Sequence, residues 1–88
     1  MKDVLALEGI PNVGEATARD LRRVGVNSVT DLVDADAIHL FDKLCELDGV
    51  QHDPCTLDIF FSAVDYATNG AIKPWWKYTE LRKKLYGP

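Results

Sequence analysis

Arg19, Arg22 and Arg23 fall at i, i+3 and i+4, so a helix carrying them would present three guanidinium groups on one face, opposite Leu21. Such an array can grip phosphate oxygens in a fork geometry. Just upstream, Asn12-Val13-Gly14-Glu15 reads as a turn running into a helix start. The free amides of such a start and the positive end of the helix dipole together make an anion site. His39, Cys45, His52 and Cys55 are of the types that zinc accepts. Only His52 and Cys55 have the roughly two-to-four-residue spacing of paired structural ligands, and Cys45 lies on an apolar stripe where a buried, inert thiol is expected. Asp58 and Asp65 share a helix face and could hold a divalent ion or exchange protons. No third ligand or histidine stands beside them, so a solvated surface is the expectation. In Lys73-Pro74-Trp75-Trp76-Lys77, helix geometry turns Trp75 inward with Tyr78 and Trp76 outward, where an indole could stack on a base or anchor a protein. The alternative, favoured by so small a core, folds both rings over the end of the preceding helix.

No nucleophile–base pair, glycine-rich nucleotide loop or zinc-hydrolase motif is visible. The chain therefore reads as non-enzymatic, without catalytic residues, metal ligands, cofactor or small-molecule substrate. Its 88 residues, 47% apolar and 27% charged, suit one globular domain over residues 1–88 with a sufficient but thin core. No apolar run approaches the roughly 20 residues of a membrane span, and Met1-Lys2-Asp3 leads straight into a helical pattern without a cleavable segment. No membrane partner and a cytoplasmic location are expected, with both cysteines reduced. The net charge of −4 argues against a strongly basic nucleic-acid binder. Its distribution is uneven: residues 1–26 are neutral, 27–70 carry −8 and 71–88 carry +4. That polarity would build a positive face which the total conceals.

Every strong periodicity is helical, and the expected fold is all-α, a compact bundle of five or six short helices. Asp3 to Glu8 gives a short first helix, stopped by Gly9 and Pro11. The second begins at Gly14 or Glu15, buries Ala18, Leu21 and Val24, and ends at Gly25. Ser28 and Asp31 form a cap signature for a third helix through Val33. Ile38, Phe41, Leu44 and Cys45 mark a fourth, closing near Asp48-Gly49. Asp53-Pro54 opens a fifth with the stripe Leu57, Phe60, Phe61, Val64, and Asn69-Gly70 closes it. A sixth starts at Lys73-Pro74 with Tyr78, Leu81 and Leu85 on its inner face.

Residues Leu5 to Val26 resemble a helix-hairpin-helix unit, the backbone-reading element of many DNA-binding proteins. Ile10, Pro11, Val13, Gly14, Ala18 and Leu21 match its pattern, and the fold resembles those of SAM and helix-hairpin-helix domains. Two departures matter. Asn12 stands where the pattern has its first glycine, a mild change because asparagine enters left-handed backbone readily. Glu15 and Ala16 stand where lysine is common, and the Glu15 carboxylate would repel an arriving phosphate. Further on, Asp53-Pro54-Cys55 and Pro74-Trp75-Trp76 with the basic tail resemble the small bacterial pathogenicity locus proteins, some named for mitomycin resistance, over about Leu7 to Lys84. That likeness implies no particular biochemical activity. The hairpin resemblance implies sequence-independent contact with DNA phosphates through Asn12, Val13, Gly14, Glu15, Arg19, Arg22 and Arg23. The other reading is a protein-interaction adaptor with the helix-hairpin-helix fold as scaffold, which uses the acidic residues 31–58 or an exposed Trp76 patch to dock a basic or hydrophobic partner.

Overall fold

A computed structural model describes residues 6–87 and contains no strand among them. The described residues form four α-helices, α1 (Glu15–Arg23), α2 (Ala37–Asp48), α3 (Pro54–Asn69) and α4 (Thr79–Leu85), with 3-10 turns before α1 (Leu7–Gly9), between α1 and α2 (Val29–Leu32) and leading into α4 (Trp75–Tyr78). The all-helical class is as expected, with four α-helices in place of five or six. Within the first expected helix, Leu7–Gly9 is a 3-10 turn and Asp3 to Leu5 lie outside the described residues. The expected third helix is also a 3-10 turn. Ser28 caps nothing, and Asp31 accepts instead from the Asn27 amide at 2.9 Å, which ties off the turn before a helix can propagate. The sixth helix starts at Pro74 as expected, but its first turn, Trp75–Tyr78, is 3-10 before α4 begins.

The caps are where the residue types require them. Asp36 accepts from the His39 amide at 3.2 Å to open α2, and Asp53 accepts from Cys55 at 2.9 Å with Pro54 in the first turn of α3. Gly49 (φ 66°) and Gly70 (φ 73°) end these helices in the left-handed region that glycine enters without steric cost. The described Cα atoms have a radius of gyration of 12.1 Å, matching the roughly 12 Å of a compact chain of this length.

Leu7, Ile10 and Val13 share one core with Ala18 and Leu21 of α1, Val24 at its C-terminal end, and Phe41 and Leu44 of α2. Helix α2 in turn packs on α3, whose Leu57 and Phe60 complete this core, and Phe41 meets Phe60 edge-to-face at 6.3 Å between ring centroids. Helix α3 is the central element, and its buried residues extend beyond this apolar stripe. Asp58, Ser62, Asp65 and Asn69, at i, i+4, i+7 and i+11, form a second, polar stripe. A solvated face was the expectation for Asp58 and Asp65, and the structure corrects it. Asp58 is 0% exposed. Its two carboxylate oxygens accept from Arg82 Nε at 2.9 Å and Thr79 Oγ1 at 2.8 Å. Asp65 is half-buried and accepts from the Tyr78 hydroxyl and from Asn69 Nδ2, each at 2.8 Å.

This pairing also corrects the face of α4. Tyr78 is buried as expected, but Leu81 and Leu85 are 40% and 57% exposed, and Arg82 takes the inward position. A buried carboxylate without a cation would be penalised by several kcal/mol, more than two partly buried leucines return, so the ion pair sets the helix rotation. Asp58→Ala would leave Arg82 unpaired and is expected to lower unfolding free energy by about 3–5 kcal/mol in urea denaturation. Replacing both partners with apolar residues, Asp58→Leu with Arg82→Met, should recover most of that loss.

Candidate nucleic-acid interface

The turn into α1 is formed by Ile10 to Gly14. Val13 N–H donates to the Ile10 carbonyl at 3.0 Å, so this amide, one of those expected to receive an anion, is already used. Asn12 has φ 72° and does enter the left-handed region. Its side chain has a role not visible in the sequence: Nδ2 donates to the Lys73 carbonyl at 2.6 Å and to Ser62 Oγ at 3.3 Å. Asparagine therefore meets the backbone requirement of the turn and fastens it to α3 and to the start of the C-terminal segment.

Gly14 is the N-cap of α1 and supplies no side-chain cap. Among the described residues, the amides of Gly14, Glu15, Ala16 and Thr17 have no acceptor, as the first turn of a helix dictates. Gly14, Glu15 and Ala16 are exposed and Thr17 is half-buried, and a Cβ added at Gly14 would meet nothing within 4 Å beyond its chain neighbours. Glu15 is exposed, and its carboxylate takes none of the amides beside it.

The three arginines do not form one free face. Arg22 makes a two-pronged ion pair with Glu8 at 2.8 and 2.9 Å, which holds the Glu8 carboxyl at about 2. Arg23 bonds both oxygens of Asp48 and reaches Asp20 at 3.3 Å. Asp48 also bonds His52 Nε2 at 2.6 Å. These pairs clip α1 to the Leu7–Gly9 turn and to the end of α2. They are solvent-accessible and individually weak. Arg19 is exposed and has no ion pair among the described residues.

Lys73, absent from the expected site, is brought beside the turn by the Asn12 bond. The signal for it was the polar stripe on α3: Ser62 meets Asn12, Asp65 meets Tyr78, and Asp58 meets Thr79 and Arg82, so the turn and the C-terminal segment share one face of that helix. In that segment Trp75 is half-buried and Trp76 is 58% exposed. The wheel assignment of the two rings agrees with the structure, and the arrangement burying both does not. The His52 amide donates to Cys45 Sγ at 3.4 Å, but His39, Cys45, His52 and Cys55 do not assemble into a ligand set: no group of three metal-capable side chains occurs among the described residues. Both cysteines are free thiols; burial, ahead of the nearby Asp53, pushes Cys55 up.

The family model for the pathogenicity locus matches residues 1–84. The chain belongs to the pathogenicity locus family. Among curated proteins it is similar to the mitomycin resistance protein McrB of Streptomyces lavendulae, with 39% identity over 79 residues, 90% of this chain and 75% of that protein. No solved structure matches the chain. The match to the family model therefore spans the turn at Asn12, the α3 stripe and the Trp75–Trp76 segment.

Two pH limits follow from the carboxylate and phenol contacts. Arg22 holds Glu8 down, Arg23 and then His52 lower Asp48, and Asn69 and then Tyr78 lower Asp65. A carboxyl lowered on folding stabilises the fold above its unfolded pKa and loses that contribution as pH falls through its folded value. The thermal midpoint should therefore decline as pH falls from the ordinary carboxylate range towards about 2. Burial and then Asp65 push the Tyr78 hydroxyl up to about 12, so its contribution is complete below the ordinary tyrosine value and is lost as pH rises through about 12. Phenolate absorbance in wild type and Tyr78→Phe should resolve one late-titrating tyrosine.

Proposed function

We propose that the chain is a non-enzymatic accessory domain that binds DNA backbone without sequence preference, its N-terminal turn and α1 acting as a helix-hairpin-helix unit. The observation that carries this reading is the open helix start at Gly14, where unengaged amides face solvent at the positive end of α1. The grip differs from the one the sequence suggests. Arg22 and Arg23 serve as clips within the fold, and the cations proposed for phosphate are Arg19 and the lysines of the adjoining segment, Lys73 and Lys77. By the name of its relative, the setting of that role is resistance to mitomycin.

With about three phosphate contacts, log affinity should fall with log salt at a slope near −2 to −3, with dissociation constants of roughly 10⁻⁴–10⁻⁶ M near physiological salt. The decisive variant is Gly14→Asp. An aspartate at this N-cap is expected to keep stability at or above wild type, because it caps the amides, while its carboxylate fills the anion site. Duplex affinity by fluorescence anisotropy should fall about tenfold, and Arg19→Glu should weaken binding and flatten the salt slope by about one. Undiminished binding by a folded Gly14→Asp protein would contradict the proposal.

A second reading, a protein-interaction adaptor, is favoured by one observation. An open groove of about 430 Å³ between α3 and α4 has Ala35, Phe61, Val64 and Leu81 in its wall and Asp34 and Asp65 at its polar side. On that reading Leu81→Glu would abolish a protein complex that survives nuclease, and duplex binding would be absent.

A further inference from the structure

Trp76 is 58% exposed, so most of this large aromatic surface adds nothing to the core. It is oriented all the same: Trp75, half-buried beside it, meets the ring at 5.8 Å between centroids and 85° between planes. Lys73 and Lys77 flank it in sequence, both exposed and neither in an ion pair among the described residues. Ile72, next to Lys73, is 74% exposed. The Asn12 bond to the Lys73 carbonyl fixes one end of the segment at the turn into α1, and the Trp76 Cα, three residues further, lies within about 11 Å of the Lys73 Cα. An oriented, solvent-facing indole between two unpaired cations is complementary to a base followed along its backbone by phosphates. A continuous duplex keeps its bases stacked and cannot offer one to this ring.

We propose that Trp76 is a stacking platform for an unpaired base, with Lys73 and Lys77 taking the neighbouring phosphates, so that the domain prefers single-stranded nucleic acid to continuous duplex. The inference deepens the proposed backbone binding and rests on it only for the adjoining phosphate grip at Gly14 and Arg19. Flanking cations favour this occupant over an apolar protein surface, which would have to desolvate both lysines.

The test compares the full chain with Trp76→Ala, Trp76→Phe and Gly14→Asp, using a labelled oligothymidine of about twelve nucleotides and a duplex of similar length at low salt, read by anisotropy. Wild type should bind the single strand more tightly. Trp76→Ala should weaken single-strand binding by about 5- to 100-fold while changing duplex binding by less than about twofold, and Trp76→Phe should fall between. In Trp75→Phe, where Trp76 is the only indole, the single strand should quench fluorescence. Because Trp76 is exposed, its variants should keep the helical circular dichroism of wild type, which separates binding loss from unfolding.

If Trp76→Ala binds the single strand as wild type does while duplex binding persists, stacking is overturned and the backbone reading survives. Trp76-dependent single-strand binding that ignores Gly14→Asp would uphold stacking and overturn the hairpin grip. Binding to neither nucleic acid would overturn both, and a Trp76 effect confined to a protein complex would replace stacking with protein docking.

Discussion

The Asp58 carboxylate sits fully buried in the longest helix of the chain, and a buried charge has to be met by donors wherever the chain can supply them. Arg82 and Thr79 supply them from the C-terminal segment. Much of the remaining arrangement depends on that requirement. Turning Arg82 inward rolls α4 so that Leu81 and Leu85 face out, and it draws the Trp75–Tyr78 turn along α3, where Tyr78 reaches Asp65. The same polar stripe receives the N-terminal turn through Asn12 and Ser62. One face of one helix therefore positions both the open start of α1 and the exposed Trp76, elements about sixty residues apart in sequence.

The parts of this fold legible in the sequence are those decided within a few residues. Gly49 closes α2, and Asp53-Pro54 and Gly70 bound α3, because capping and left-handed backbone are local requirements. Ala18, Leu21, Phe41, Leu44, Leu57 and Phe60 follow apolar periodicity into the core. Asn12 is legible as a left-handed turn residue, since its side chain tolerates that conformation. Its bonds to Ser62 and Lys73 are not, because partners fifty and sixty-one residues distant leave no local pattern. Asp58 and Asp65 mislead for a related reason. Periodicity separates polar from apolar faces, and it cannot distinguish a face covered by water from one covered by Tyr78, Thr79 and Arg82.

The candidate site was half legible. The arginine spacing correctly places Arg19, Arg22 and Arg23 in one helix, but the helical frame alone does not show that Glu8 and Asp48 lie within reach of two of them. Part of the acidic charge is thus engaged inside the fold, and beside Arg19 the unpaired cations assigned to the site, Lys73 and Lys77, come from another part of the chain. The helix start itself remains open because Gly14 has no side chain to cap it and Glu15 leaves its amides unengaged. A phosphate there would gain the helix dipole and meet the Glu15 carboxylate as an opposing charge, which favours weak, salt-sensitive contact over tight recognition.

In the proposed function, the turn into α1 and the Lys73–Lys77 segment act as one nucleic-acid face because α3 holds them side by side. Amide hydrogen exchange of the full chain, with and without a short single-stranded oligonucleotide at low salt, separates one joint face from two independent segments. A joint face should show added protection rising together at residues 14–19 and 73–77, with none at the groove wall of Phe61 and Val64. Protection confined to one of the two segments, or centred on the groove, would contradict it.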